Sequence, residues 1–202
     1  MSNGDSEGFK SPDDVVRALF KGGGILVVGF GLEVTLSFVA KIVMAQVLGR
    51  TSYGAVSIGI GLAANLSTIL VLGLDTGVAR YLPRDTTTSF RRGVVLAGYR
   101  VVVPLSVGAS VAVFLFADTL AVALFRDASV TPILRVFSVA IPFASVLKLS
   151  IGTIRGLQRS GQKVLVRNIA EPTVRFALVV FALWAGFETL GVAWAYVGAF
   201  AV

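Results

Sequence analysis

Among the 202 residues there is no cysteine and no histidine. Without thiols, neither a disulfide nor a thiolate metal site can be built. Without imidazole, the chain loses the usual general base near neutral pH and the commonest metal ligand. Charge is scarce too: Asp, Glu, Lys and Arg make up 14% of the chain, with 11 acids against 18 bases. A hydrophobic fraction of 55% and a mean hydropathy of +0.86 leave too little polar surface for an ordinary soluble domain. No Walker-type glycine loop, nucleophile elbow or pair of metal-binding acids is present. The adjacent acids Asp13-Asp14 sit at a helix start, where capping accounts for them. No enzyme, cofactor or metal site is expected.

What the chain does have is long apolar runs. Tyr53–Leu74 is uncharged over 22 residues. A helix rising 1.5 Å per residue needs only about 20 apolar residues to cross the hydrocarbon core. Comparable runs occupy Gly22–Leu48, Gly93–Ala117, Ile133–Ile154 and Val164–Gly186, and a sixth starts near Thr189. The pattern predicts an all-α membrane protein, a bundle of about six transmembrane helices over residues 22–202. Residues 1–21 read as a cytoplasmic tail and an interfacial helix opened by Ser11-Pro12-Asp13-Asp14. The run from Thr189 to Val202 holds 14 residues, about 21 Å of helix against a core of about 30 Å. The expectation is therefore a chain cut within its sixth helix, with a second bundle following in a longer protein. The glycines Gly22-Gly23-Gly24, Gly29, Gly31, Gly73 and Gly77 read as helix-packing residues.

The bases alternate between connections. Ten of the 18 fall in three places: Lys10, Arg17 and Lys21; Arg80, Arg84, Arg91 and Arg92; Arg155, Arg159 and Lys163. The other connections hold only Arg50, Arg126 and Arg135. Cytoplasmic loops carry the excess of Lys and Arg, so the amino terminus is expected inside. The net charge of +7 thus points to anionic membrane lipid as a partner and not to nucleic acid.

A charge at a helix centre costs roughly 2.5–3.5 kcal/mol on insertion scales, so each in-span charge needs a reason. Arg100, Lys148 and Arg167 lie near inner helix ends and can snorkel. Lys41 stands in the same relation to an outer end. Asp75 has Arg80 and Arg84 as expected partners. Glu33, Glu171 and Arg175 are too deep for that escape. Glu171 and Arg175 are spaced to pair along one helix, and Asn168 extends their face. Glu33, Ser37 and Lys41 make a second stripe; Gly61, Asn65, Thr68 and Asp75 belong to a third. Such stripes either bond helices to one another or line a polar cavity; agreement among three helices favours the cavity.

The first helix ends in Leu48-Gly49-Arg50-Thr51-Ser52-Tyr53-Gly54, and the second closes with Gly73-Leu74-Asp75-Thr76-Gly77-Val78-Ala79-Arg80. Together with Gly156-Leu157-Gln158-Arg159, these segments resemble the polysaccharide flippases of the multidrug/oligosaccharidyl-lipid/polysaccharide exporter superfamily, whose "LGxxxYG" and "GLxxxxxR" junctions they match. The resemblance implies one lobe of a two-lobe, alternating-access transporter in a prokaryotic cytoplasmic membrane. It implies a lipid-linked sugar substrate and coupling to a proton or sodium gradient. On that footing Arg80, Arg100 and Arg175, with Lys41, are candidates to attract the phosphate of the substrate. Glu33 and Glu171 are candidates to carry the ion or neutralise an arginine. A drug/cation antiporter of the same superfamily is the nearest rival, and the in-span bases, five against three acids, weigh against it. A non-transporting scaffold or truncated gene product is the rival from another class.

Overall fold

The computed structural model describes residues 12–84, 87–157, 171–187 and 189–200, with side chains for all of these but 12–29, 171, 172 and 200. Among the described residues all regular structure is helical. A helical stretch, α1 (Pro12–Leu70), holds the first two membrane passes. It runs unbroken through Gly22-Gly23-Gly24 and doubles back at Gly49, whose φ of 76° and ψ of 173° are non-helical. That backbone region is essentially confined to glycine, because a Cβ there collides with the chain. One residue therefore makes the turn between the two passes, and it is the glycine of the Leu48–Gly54 junction.

The second pass is broken before it ends. Leu72 (φ 52°) and Gly73 (φ 72°) are left-handed. They separate residues 50–70 of α1 from α2 (Leu74–Tyr81) and the 3-10 turn Leu82–Arg84. Apolar continuity through Leu74 hides this break in the sequence. Next come α3 (Thr88–Leu115), the short α4 (Ala117–Leu120), a π-turn at Ala121–Phe125 and a 3-10 turn at Ala128–Val130. Asp127 caps that last turn, accepting a hydrogen bond from the Ser129 amide at 2.9 Å; the Ser129 hydroxyl first, and this amide second, hold its carboxyl below the usual aspartate range. Among the described residues there follow the long α5 (Thr131–Gly156) and the shorter α6 (Glu171–Trp184) and α7 (Thr189–Phe200).

The fold is organised round α5, which packs against α1, α2, α3 and α7. Phe137, Ile141, Leu134 and Leu149 on it are wholly buried. Lipid tails are as apolar as leucine, so close packing and interhelical hydrogen bonds must hold these helices together. Both are present. Ser110 Oγ on α3 donates to the Ser138 carbonyl at 2.7 Å, and the Tyr99 and Ser150 hydroxyls meet at 2.7 Å. Across the α2–α5 contact, a Cβ added at Gly152 would lie 2.4 Å from the Asp75 carbonyl oxygen, and one at Gly156 would lie 2.9 Å from the Ala79 Cα. Gly152 and Gly156 are thus packing glycines, as are Gly59 under the Phe137 ring and Gly98 against Leu149 and Val78. Gly31, Gly73 and Gly77, expected in that role, would meet nothing within 4 Å; Gly73 serves the break instead.

The outward surface is what a bilayer requires. Phe30, Val34 and Phe38 on α1, Val103, Val107 and Phe114 on α3, and Phe181 and Trp184 on α6 are exposed. In water so much apolar surface would be a liability; in lipid it is matched to its solvent.

Candidate functional site

The α5 face that follows the i, i+3, i+4, i+7 rule through Ala144, Leu147, Lys148, Ile151 and Arg155 looks onto a cavity of about 360 Å³. Ile60, Ala64 and Ser67 of α1 supply the facing wall, and Asp75 borders it from α2. Glu33 from the first pass and Arg175 from α6 close the far side. Five helical segments therefore converge on one volume, and five of its lining residues are ionisable.

Four of the five charges have a polar neighbour. Lys148 Nζ donates to the Thr68 hydroxyl. Arg175 Nη2 donates to Ser37 Oγ at 2.9 Å, and its guanidinium lies 5.5 Å from the centre of the Tyr196 ring. Arg175 thus ties the first pass to α7 and has its planar head fixed in place. At the α2 end of the cavity, Arg155 approaches Asp75 at 3.8 Å. That contact is long and partly solvated, so it contributes little to stability and can open readily. Arg80 and Arg84 were the expected partners of Asp75. Arg80 lies five residues on, which turns it well away round the helix, and Arg84 stacks on Tyr81 at 4.5 Å. The close α2–α5 approach at Gly152 brings Arg155 in their place.

The candidate residues from the sequence divide three ways. Glu33 and Arg175 line this cavity. Lys41 lines a second one of about 290 Å³ nearer the Gly49 turn, with Met44, Tyr53 and Ser57; Ile60 borders both. Asn65 turns back on its own helix, its amide donating to the Gly61 carbonyl at 2.7 Å, and does not line the larger cavity. Arg80 is exposed on α2. Arg100 is exposed on α3, on the side away from Gly98 and Val102, which are buried. Neither borders the cavity. Glu171 opens α6 with its side chain outside the described residues, and Asn168 lies outside them altogether.

Sequence reasoning passed over Lys148 and Arg155 as site residues, and placed Thr68 on a polar stripe without singling it out. Lys148 stood near enough to an inner helix end to be read as snorkelling, and Arg155 was counted as a topology signal. Their seven-residue spacing was the available clue, since it stacks both on one helix face.

A family model described as "Polysaccharide biosynthesis protein" matches residues 19–202. The chain belongs to that family. The match runs from the first pass through α7, so the cavity and every element that builds it lie within the family region. Membrane helices and a role in polysaccharide biosynthesis and transport follow from membership and fold together. Comparison with curated proteins and with solved structures gave no match.

Proposed function

We propose that this member of the polysaccharide biosynthesis family forms a flippase bundle. It moves lipid-linked oligosaccharide or polysaccharide precursors across the cytoplasmic membrane of a prokaryote by alternating access, with its amino terminus inside. One observation carries the reading: within a membrane-type bundle of this family, Lys148, Arg155 and Arg175 share a cavity with only Glu33 and Asp75. Charges at that depth are costly unless they serve a polar pathway. An excess of fixed cations suits a substrate whose head group is a phosphodiester or pyrophosphate. The polar head would pass along the cavity while the lipid tail stays in the bilayer. Glu33 would either carry the coupling ion or balance Arg175. A second bundle, completing the two-lobe transporter, would close the other side of the passage.

The test is to measure, in cells, on which leaflet the lipid-linked precursor accumulates. Lys148→Gln should trap it on the inner face. Hydrogen bonds to charged groups contribute about 1.5–3 kcal/mol, so transport at limiting substrate should fall roughly tenfold or more. The acids in the same cavity support a second reading, a drug/cation antiporter. Under that reading Lys148→Gln leaves precursor distribution unchanged and Glu33→Gln abolishes efflux of a cationic dye.

Orientation has its own test, made simple by the absence of native cysteine. Cysteine placed at Thr87, between α2 and α3, should resist a membrane-impermeant thiol reagent in intact cells. Cysteine at Ala128, on the connection before α5, should react. The reverse labelling pattern would overturn the amino-terminus-inside topology.

A further inference from the structure

A second basic site stands apart from the cavity just described. Where α3 begins, Leu82 of the 3-10 turn and Leu157, just past the end of α5, close round a hollow of about 390 Å³. Its rim carries Arg91 and Arg92; its walls are Leu82, Val95, Leu96 and Leu157. It shares no lining residue with the cavity that holds Lys148 and Arg175. We propose that this hollow is a binding site for an anionic phospholipid of the inner leaflet, with the phosphate held by Arg91 and Arg92 and the first part of an acyl chain lying against the leucines. The proposal rests on the orientation argued from the basic loops and is independent of the transport reading.

Depth is the first argument. The 28 residues of α3 make about 42 Å of helix, close to the full thickness of a bilayer with its head groups. Arg91 and Arg92 lie one turn from its start and so stand at phosphate level. Val95 and Leu96 lie one turn deeper, at the top of the hydrocarbon. The hollow is therefore graded from cationic to apolar along the membrane normal, as a phospholipid is graded from head to tail.

Chemistry is the second. Two guanidinium groups on one rim each offer bidentate geometry to phosphate oxygens, which a zwitterionic head group engages less well because its own ammonium competes. Basic recesses between transmembrane helices on the cytoplasmic side suit anionic head groups, and the inner leaflet is where such lipids are rich. The third argument separates lipid from a soluble anion. Leu96 and Leu157 are 42% and 37% exposed. Free phosphate would leave both uncovered, whereas an acyl chain covers them.

The binding has a structural consequence. Leu82 follows α2 directly, and Leu157 follows α5. A lipid seated here touches α3 and the inner ends of both, and so braces the α2–α5 contact from outside.

The test uses the purified chain in an uncharged detergent, titrated with dioctanoyl phosphatidylglycerol, dioctanoyl phosphatidylcholine or inorganic phosphate. Phosphatidylglycerol should raise the thermal unfolding midpoint saturably, and the other two should not at the same concentration. Arg91→Gln with Arg92→Gln should weaken the apparent affinity about tenfold or more, and the matching double lysine variant should keep part of it. Arg126→Gln, which removes one charge from the outer connection, should leave it unchanged. An equal shift with phosphate would make this an anion site without a lipid. An equal shift with phosphatidylcholine, or equal weakening by Arg126→Gln, would remove specific recognition of the charged head. If the double glutamine variant does not fold, Leu96→Gln on the exposed wall decides instead: unchanged phosphatidylglycerol affinity overturns the proposal.

Discussion

Replacing Gly152 with valine should unseat α2 and lower the thermal unfolding midpoint in detergent by roughly 5 °C or more. The reason is the backbone of the neighbouring helix. A Cβ at Gly152 would lie 2.4, 2.7 and 2.8 Å from the carbonyl oxygen, Cα and carbonyl carbon of Asp75. Main-chain atoms cannot rotate out of the way as a side chain can, so the two helices must part. Forced overpacking typically costs about 1–3 kcal/mol where side chains can adjust, and here they cannot. The damage should be local in origin and wide in effect. The α2 segment is joined to residues 50–70 only through the left-handed pair Leu72 and Gly73, so it can swing as a unit once its seat on α5 is lost. Gly156 would lose its approach to Ala79, and Arg155 would move away from Asp75. Gly108→Ala is the matched control, because a Cβ there meets nothing within 4 Å and alanine is the better helix former. Equal midpoints for Gly152→Val and the wild-type chain would show that the α2–α5 contact is not needed for stability.

Much of this fold could be read from the chain, and the exceptions share a cause. Apolar runs and basic loops carry the order of the membrane passes, because a bilayer makes both expensive to misplace. Gly49 was visible as part of a junction motif, although its φ was not. The centrality of α5 could not be read from hydropathy, since lipid and bundle interior are equally apolar and a helix gains no amphipathic stripe by facing one instead of the other. Its small and hydroxylic residues, Ser138, Ser145, Gly152 and Gly156, were the better guide. The break at Leu72 was hidden for a related reason: an uninterrupted apolar run says how deep a segment lies and nothing of its backbone. Depth alone also could not tell apart two bases of similar standing. Lys148 and Arg100 both lie near inner helix ends, yet the first faces Thr68 in the cavity and the second faces outward from α3. Which side of a helix meets protein is a tertiary fact, and in a membrane the sequence marks it only weakly.

Arg175→Gln should abolish transport of a lipid-linked oligosaccharide, and Arg175→Lys should keep part of it. A point charge still attracts phosphate, although it loses the bidentate fork. Arg175 is placed for that task by its bond to Ser37 and its stacking on Tyr196, which fix the guanidinium on the cavity wall. Those contacts also supply a competing account, in which the residue is a tie between the first pass and α7. Ser37→Ala separates the two. If the tie is what matters, losing its acceptor should lower the amount of folded protein in the membrane along with transport. If charge presentation matters, protein level should hold and transport should fall only a few-fold. A further alternative comes from the i, i+4 spacing of Glu171 and Arg175, which lets the arginine serve as partner to a carboxylate. Arg175→Gln would then fail because it strands a charge in a low-dielectric setting, and neutralising both residues should restore function. Glu171→Gln combined with Arg175→Gln is therefore the deciding variant, assayed beside the single changes at matched protein level. Recovery of transport in the double variant would remove Arg175 from the substrate site. Continued loss, with the folded protein present at its normal level, would leave the arginine's charge as what the passing phosphate meets.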